Sequence, residues 1–216
     1  MHFEVWKGPL KFLSAPIALA VANAGVGALA PLVEMEENDM EWVLRVNLFG
    51  TLDTVRAYVE RVRETKTSGY VMFTGSENSI GLPPFLRRAG LGFYGMTKHA
   101  VLHMADTLRH ELVVDDIGVS VLLPGRVATE IGKSGRKRPD HLGGAAQPQR
   151  RDASMIEPGA TIQPEISADA AARIALDGLR AGRFMIPTHS HLVEFAQARL
   201  DELIEANRAT RFEPGT

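Results

Sequence analysis

The chain contains no cysteine in its 216 residues, which excludes disulfides and thiolate metal sites while leaving the compartment open. It also lacks charge imbalance: 24 Lys and Arg stand against 26 Asp and Glu, a formal net charge of -2. That is too little to draw the molecule to nucleic acid or to an anionic membrane. No apolar run reaches the roughly 18 residues that suggest a membrane span. What is present is ordinary globular composition, 45% hydrophobic and 23% charged, in a length that suits one domain with a sizeable core. A wholly disordered chain is thereby excluded, and the cytoplasm is the default location.

The N-terminal "PLKFLSAPIALAVANAG" has the lysine, apolar stretch and A-x-A pattern (Ala22 to Ala24) of a signal peptide. Pro16 interrupts the stretch, however, and "IALAVANAG" reads equally well as a buried strand ending at a turn. Strands are expected at 16–25, 69–76, 117–125 and, briefly, 183–187. The first and third are too continuously apolar for a one-sided sheet, which points to central parallel strands covered on both faces. Between the strands lie helical patterns at about 38–65, opened by Asn38 or Asp39, at 93–115, at 168–181 behind a Ser167 cap, and at 190–208. This alternation predicts an α/β fold with a doubly wound parallel sheet and helices on both faces.

Two loop stretches, 77–92 and 130–166, follow strand ends, where ligands bind in open α/β sheets. They are the expected walls and lid of a site, with 130–166 on the substrate side. The basic run Lys133, Arg136, Lys137 and Arg138 reads as a solvated, mobile part of it. Several motif matches fail on context. "GLGFYG" (90–95) satisfies G-x-G-x-x-G, with Asp115 about twenty residues on, but a Pro-rich loop precedes it rather than a strand. "GKS" (132–134) has Val127 where a P-loop needs its first glycine. His99 and His103 are spaced as a helical metal pair, yet Ala100 stands where a zincin has Glu, and no third ligand accompanies them.

One pair carries chemistry. Tyr94 and Lys98 are four residues apart in an expected helix, so both side chains project from one face. A free tyrosine is a poor base at neutral pH; a nearby ammonium favours the phenolate and makes a switchable proton donor and acceptor. The spacing is common by itself, but it has company. Strand ends deliver Asn23 with a small-residue turn, Ser76 in "FTGS", and Thr129 in "LLPGRVAT", and the helix "EWVLRVNLFGTLDTV" carries Asn47 at its middle.

In chain order these residues resemble the short-chain dehydrogenase/reductase family, through its N-A-G turn, helical Asn, Ser, Y-x-x-x-K and P-G-x-V-x-T segment. The resemblance is close over 16 to about 130 and looser to about 195. It implies a Rossmann-like fold and an oxidoreductase that passes a hydride between the nicotinamide of NAD or NADP and a secondary alcohol or carbonyl compound. Tyr94 would be the general acid/base. Lys98 would lower its pKa and hold the nicotinamide ribose. Ser76 would hydrogen-bond the substrate oxygen, with Ser79 a second candidate, and Asn47 would support a water and proton relay behind Lys98. Asn23, Ala24 and Gly25 resemble the turn that supports the adenosine side, while Pro124, Gly125, Val127 and Thr129 resemble the segment packed on the nicotinamide. The implied partner is a small molecule, with no nucleic acid, membrane or metal; a homo-oligomer is compatible with it.

The family opens with a strand, a T-G-x-x-x-G-x-G turn, a helix, a further β-α unit and a third strand, all before the N-A-G turn. Here 22 residues precede Asn23, and the one glycine of "MHFEVWKGPLKFLSAP" is Gly8. The expectation is an incomplete, N-terminally truncated Rossmann-like domain over 1–216 that binds NAD or NADP weakly or not at all. The choice between the two is not encoded. A second reading stays open: a catalytically inactive remnant acting as a binding or oligomerisation module. The strand at 17–23 is then an expected edge, open to pairing with another chain or with residues 2 to 12.

Overall fold

The computed structural model describes residues 16–146, Gly159 and residues 161–210. The pairing expected of residues 2 to 12, and part of the expected lid, lie outside them. Four strands, β1 (Leu19–Ala22), β2 (Gly69–Thr74), β3 (Ile117–Leu123) and β4 (Met185–Pro187), form one sheet in that order, with every pair parallel. Side chains alternate across a strand, and both faces of this sheet are apolar. Val71 and Phe73 of β2 join Val119 and Val121 of β3 in a core with Val55, Tyr58 and Val59 on one helix and Val101 and Ala105 on another. Met72 and Leu122 point the other way, onto Ala175 and Ile186.

The expectation of two covered faces, made for the first and third strands, therefore holds for the third, β3, and β2 shares it. It does not hold for β1, which leaves Val21 exposed and pairs on one side only among the described residues, as the edge expected at 17–23. Tyr58 ties this strand to its neighbour: its hydroxyl lies within hydrogen-bond reach of the Ile17 and Ala18 carbonyls at 3.0 and 3.2 Å and accepts from the Tyr70 N–H at 2.9 Å.

The single helix expected at 38–65 is three pieces: α1 (Glu37–Leu44), a π-helical turn (Arg45–Phe49) and α2 (Gly50–Thr65). Neither Asn38 nor Asp39 is its cap. The cap position belongs to Glu36, whose side chain makes no capping bond, and the Asp39 carboxylate is taken by Arg138 from a distant loop. The other helices are α3 (Gly92–Glu111), followed by a 3-10 turn (Leu112–Asp115), α4 (Ala168–Arg180) and α5 (Leu192–Ala209). At α4 the expected cap is present, with Ser167 Oγ accepting from the Ala170 N–H at 3.1 Å. No described helix is long and apolar enough to cross a membrane.

Candidate active site

The carboxyl ends of β1, β2 and β3 open onto one cavity of about 360 Å³, lined by Ser76, Tyr94, Gly125, Val127 and Thr129 among others. At the end of β2 the chain turns into a short 3-10 segment, Glu77–Ser79, capped by Ser76. The two serines then part ways. Ser79 Oγ accepts from the Ser76 N–H at 3.0 Å and donates to the Lys98 carbonyl at 2.7 Å, so it is used up in joining loop to helix. Ser76 Oγ accepts from Asn78 and lines the cavity.

Helix α3 presents Tyr94 to that cavity and sends Lys98 behind it. Lys98 is 3% exposed; its Nζ donates to the Thr74 carbonyl at 2.8 Å and lies 5.7 Å from the centre of the Tyr94 ring. Burial disfavours the charged form and pushes the Lys98 ammonium down to about 8. Asn47 sits fully buried in the π-helical turn, a rare arrangement often found at functional sites. Its Oδ1 accepts from the Val26 N–H at 2.8 Å, and its Nδ2 donates to the Val26 carbonyl at 3.0 Å and to Thr97 Oγ1 at 3.1 Å. Thr97 Oγ1 donates in turn to the Tyr94 carbonyl at 2.8 Å. Asn47 thus spans from the loop after β1 to the turn of α3 that carries Tyr94 and Lys98.

The loop after β1 reaches the site only in part. Gly25 is beside Lys98 and Asn47: a Cβ there would lie 3.6 Å from Nζ and 3.7 Å from Oδ1. Asn23 and Ala24 are exposed and outside the cavity lining, with Asn23 Oδ1 accepting from Thr74 Oγ1 at 3.0 Å. After β3, the Pro124 carbonyl accepts from the Glu77 N–H at 2.8 Å. Gly125 is where the backbone needs glycine, because a Cβ would come within 2.6 Å of His189 Nδ1.

The basic run is solvated as expected at Lys133, Arg136 and Lys137, which are exposed, but not at Arg138, which is largely buried. Residues Ile131–Lys137 form a 3-10 segment along the cavity; Lys133 and Arg136 pair with Glu130, each at 3.0 Å, and Arg138 pairs with Asp39 and the Leu142 carbonyl. Ser134 Oγ accepts from the Gly27 N–H at 3.1 Å, which ties this wall to the loop after β1.

The rejected motifs have other uses. Gly90 has φ +65, and a side chain there would run into the Ala30 backbone at 2.9 Å, so this glycine lets two loops touch. Asp115 grips Arg63 through two bonds of 2.8 and 2.7 Å, which hold its carboxyl below the usual range. His99 Nδ1 lies 3.0 Å from the Gly95 carbonyl of its own helix.

Sequence reasoning missed Thr97, Asn78 and the buried pair Glu77–His191, in which Oε2 and Nε2 are 2.8 Å apart. Thr97 had a weak signal, a hydroxyl between Tyr94 and Lys98 on one helix. Glu77 and His191 had none, since 114 residues separate them.

Comparison with known proteins gives the fold its relatives. The family profile for short chain dehydrogenase matches residues 10–140. The chain is 31% identical to 1-deoxy-11-beta-hydroxypentalenate dehydrogenase of Streptomyces avermitilis over 182 residues, 83% of this chain and 57% of that protein. It is 31% identical to a diacetyl reductase of Staphylococcus epidermidis over 111 residues, 51% of this chain and 41% of that one. The chain thus spans about half the length of the relatives it matches. A short chain dehydrogenase/reductase from Burkholderia phymatum, solved in complex with NAD, superposes with a TM-score of 0.74 at 30% identity, over 93% of this chain and 70% of that one. A family profile covering more than half of the chain, on a parallel sheet that superposes on a solved member, establishes that this chain belongs to the short-chain dehydrogenase/reductase family.

Proposed function

We propose that the protein is an NAD(P)-dependent oxidoreductase acting on a secondary alcohol or carbonyl compound, with Tyr94 as general acid/base. The observation that carries this reading is that Ser76 and Tyr94 line one cavity while the Lys98 ammonium is buried behind the Tyr94 ring. In the reducing direction the Tyr94 hydroxyl gives its proton to the substrate oxygen, and in the oxidising direction it takes that proton back. Ser76 donates a hydrogen bond to the same oxygen and stabilises charge developing there. Lys98 favours the phenolate by its charge. The bonds of the Asn47 side chain to Val26 and Thr97 support a positioning role, holding the loop after β1 against the first turns of α3.

The residues fit one end of a dinucleotide. Lys98 with Tyr94, the Gly25 backbone, Thr129 and the segment Pro124, Gly125 and Val127 would hold the nicotinamide and its ribose. Bound there, the nicotinamide supplies or accepts the hydride. The adenosine side would fall to Asn23 and Ala24. For the pyrophosphate, no glycine-rich turn joins a strand directly to a helix N-terminus among the described residues, where backbone donors and the helix dipole would meet its charge.

The test is Tyr94→Phe, assayed on a panel of ketones and secondary alcohols with both dinucleotides. The rate should fall by roughly 10² to 10⁴ with the circular dichroism spectrum and melting curve unchanged. A Phe variant with near-full rate removes Tyr94 from the mechanism, and a wild-type chain inert toward the whole panel turns the assignment to a non-catalytic binding module.

A further inference from the structure

We propose that Asn78 is a positioning residue that aims the Ser76 hydroxyl proton at the substrate oxygen; the proposal rests on the oxidoreductase reading above. Ser76 Oγ accepts from the Asn78 backbone N–H at 3.2 Å and from Asn78 Nδ2 at 3.3 Å. A serine hydroxyl has two lone pairs and one proton. With both lone pairs engaged by Asn78, the proton is left to point elsewhere, and Ser76 lines the cavity it shares with Tyr94. A hydroxyl that acts only as a donor at that point is what a substrate carbonyl oxygen needs.

The reversed amide would do the opposite. Turned around, Asn78 would present its oxygen to Ser76 and take the proton itself. Burial decides between the two arrangements. Asn78 is 3% exposed, and the end of its amide away from Ser76 has no partner among the described residues, lying toward Gly95 of α3, where a Cβ would be 4.0 Å from it. With the oxygen there, the amide leaves one acceptor and one Nδ2 hydrogen unmet among the described residues; with an NH₂ there it would leave both hydrogens unmet, and orphaned buried donors are the rarer case. The arrangement that costs less is the one that frees the Ser76 proton.

The experiment replaces the amide by a group that can only accept. In Asn78→Asp the ionised carboxylate takes the Ser76 proton, so the Ser76 share of substrate polarisation should disappear although Ser76 is intact. Acetophenone labelled with ¹³C at its carbonyl is titrated into wild type, Ser76→Ala and Asn78→Asp without dinucleotide, and the saturating carbonyl shift is read by NMR. A hydrogen bond to the oxygen moves this carbon downfield. Wild type should show that displacement, and both variants should fall to one common, smaller value, the share that the Tyr94 hydroxyl supplies to the same oxygen. If Asn78→Asp does not fold, Asn78→Leu, which leaves the proton unaimed rather than captured, should give an intermediate shift.

For ketones reduced with NADH or NADPH, Asn78→Asp should lose roughly 10² to 10³ in kcat, as for removal of one preorganised donor. The double variant with Ser76→Ala should be no slower than Ser76→Ala alone. A full downfield shift in Asn78→Asp, or additive losses in the double variant, overturns the role of Asn78. No downfield shift in wild type, or the same shift in Ser76→Ala, overturns instead the donation by Ser76 on which it rests.

Discussion

Ser79 Oγ donates to the Lys98 carbonyl at 2.7 Å, so the loop that carries Ser76 is clipped to the helix that carries Tyr94. The same hydroxyl accepts from the Ser76 N–H, and the site is buried. We expect Ser79→Ala to cost about 1 to 3 kcal/mol, the penalty for leaving a buried backbone donor unmet. Denaturant unfolding with an unchanged m-value measures it. A variant as stable as wild type would show that the clip carries no load.

Lys98 should make stability rise with pH in the alkaline range. Its folded pKa, about 8, is below its unfolded value, so between the two the unfolded chain binds more protons and folding gains as pH increases. The full span is worth on the order of 3 kcal/mol, at about 1.4 kcal/mol per pKa unit. Lys98→Met has no such titration. Its stability relative to wild type should therefore decline between about pH 8 and pH 10.5, whatever the offset from losing the bond to the Thr74 carbonyl. Parallel stability profiles for the two proteins would contradict this.

Arg138 and Asp39 are 10% and 14% exposed, and both line the cavity. Arg138→Ala leaves the Asp39 charge without this partner in a poorly solvated place, which costs about 3 to 5 kcal/mol for a buried pair. We expect a loss toward the lower end of that range, and protease sensitivity appearing between 131 and 146. The double variant Asp39→Asn/Arg138→Ala should recover part of the stability, since no charge is stranded. An equal or larger loss in the double variant would mean the pair acts through packing alone.

Features encoded within a few residues were legible in the sequence. The Tyr94 to Lys98 spacing, the Ser167 cap and the apolar runs of β2 and β3 follow from local geometry, because 3.6-residue and two-residue periods fix which side chains share a face. The parallel α/β order followed from the alternation of those runs. What the tertiary structure decided depended on partners far along the chain. Ser76 is favoured over Ser79 in the sequence because "TGS" directly ends the strand, but what occupies Ser79 is a partner 19 residues on, the Lys98 carbonyl. Asp39 looks like a helix cap until Arg138, 99 residues away, takes its carboxylate, and the same contact takes Arg138 alone out of an otherwise solvated basic run and into the cavity lining. Asn47 lies in an unbroken helical pattern, yet its amide bonds to Val26 and Thr97 and the turn around it is a π-helix. A polar side chain has several partners of similar worth within local reach, and net hydrogen-bond energies of about 1 kcal/mol do not separate them. Burial does: once the chain closes and water is excluded, every polar group must be met, and the fold chooses which group meets which.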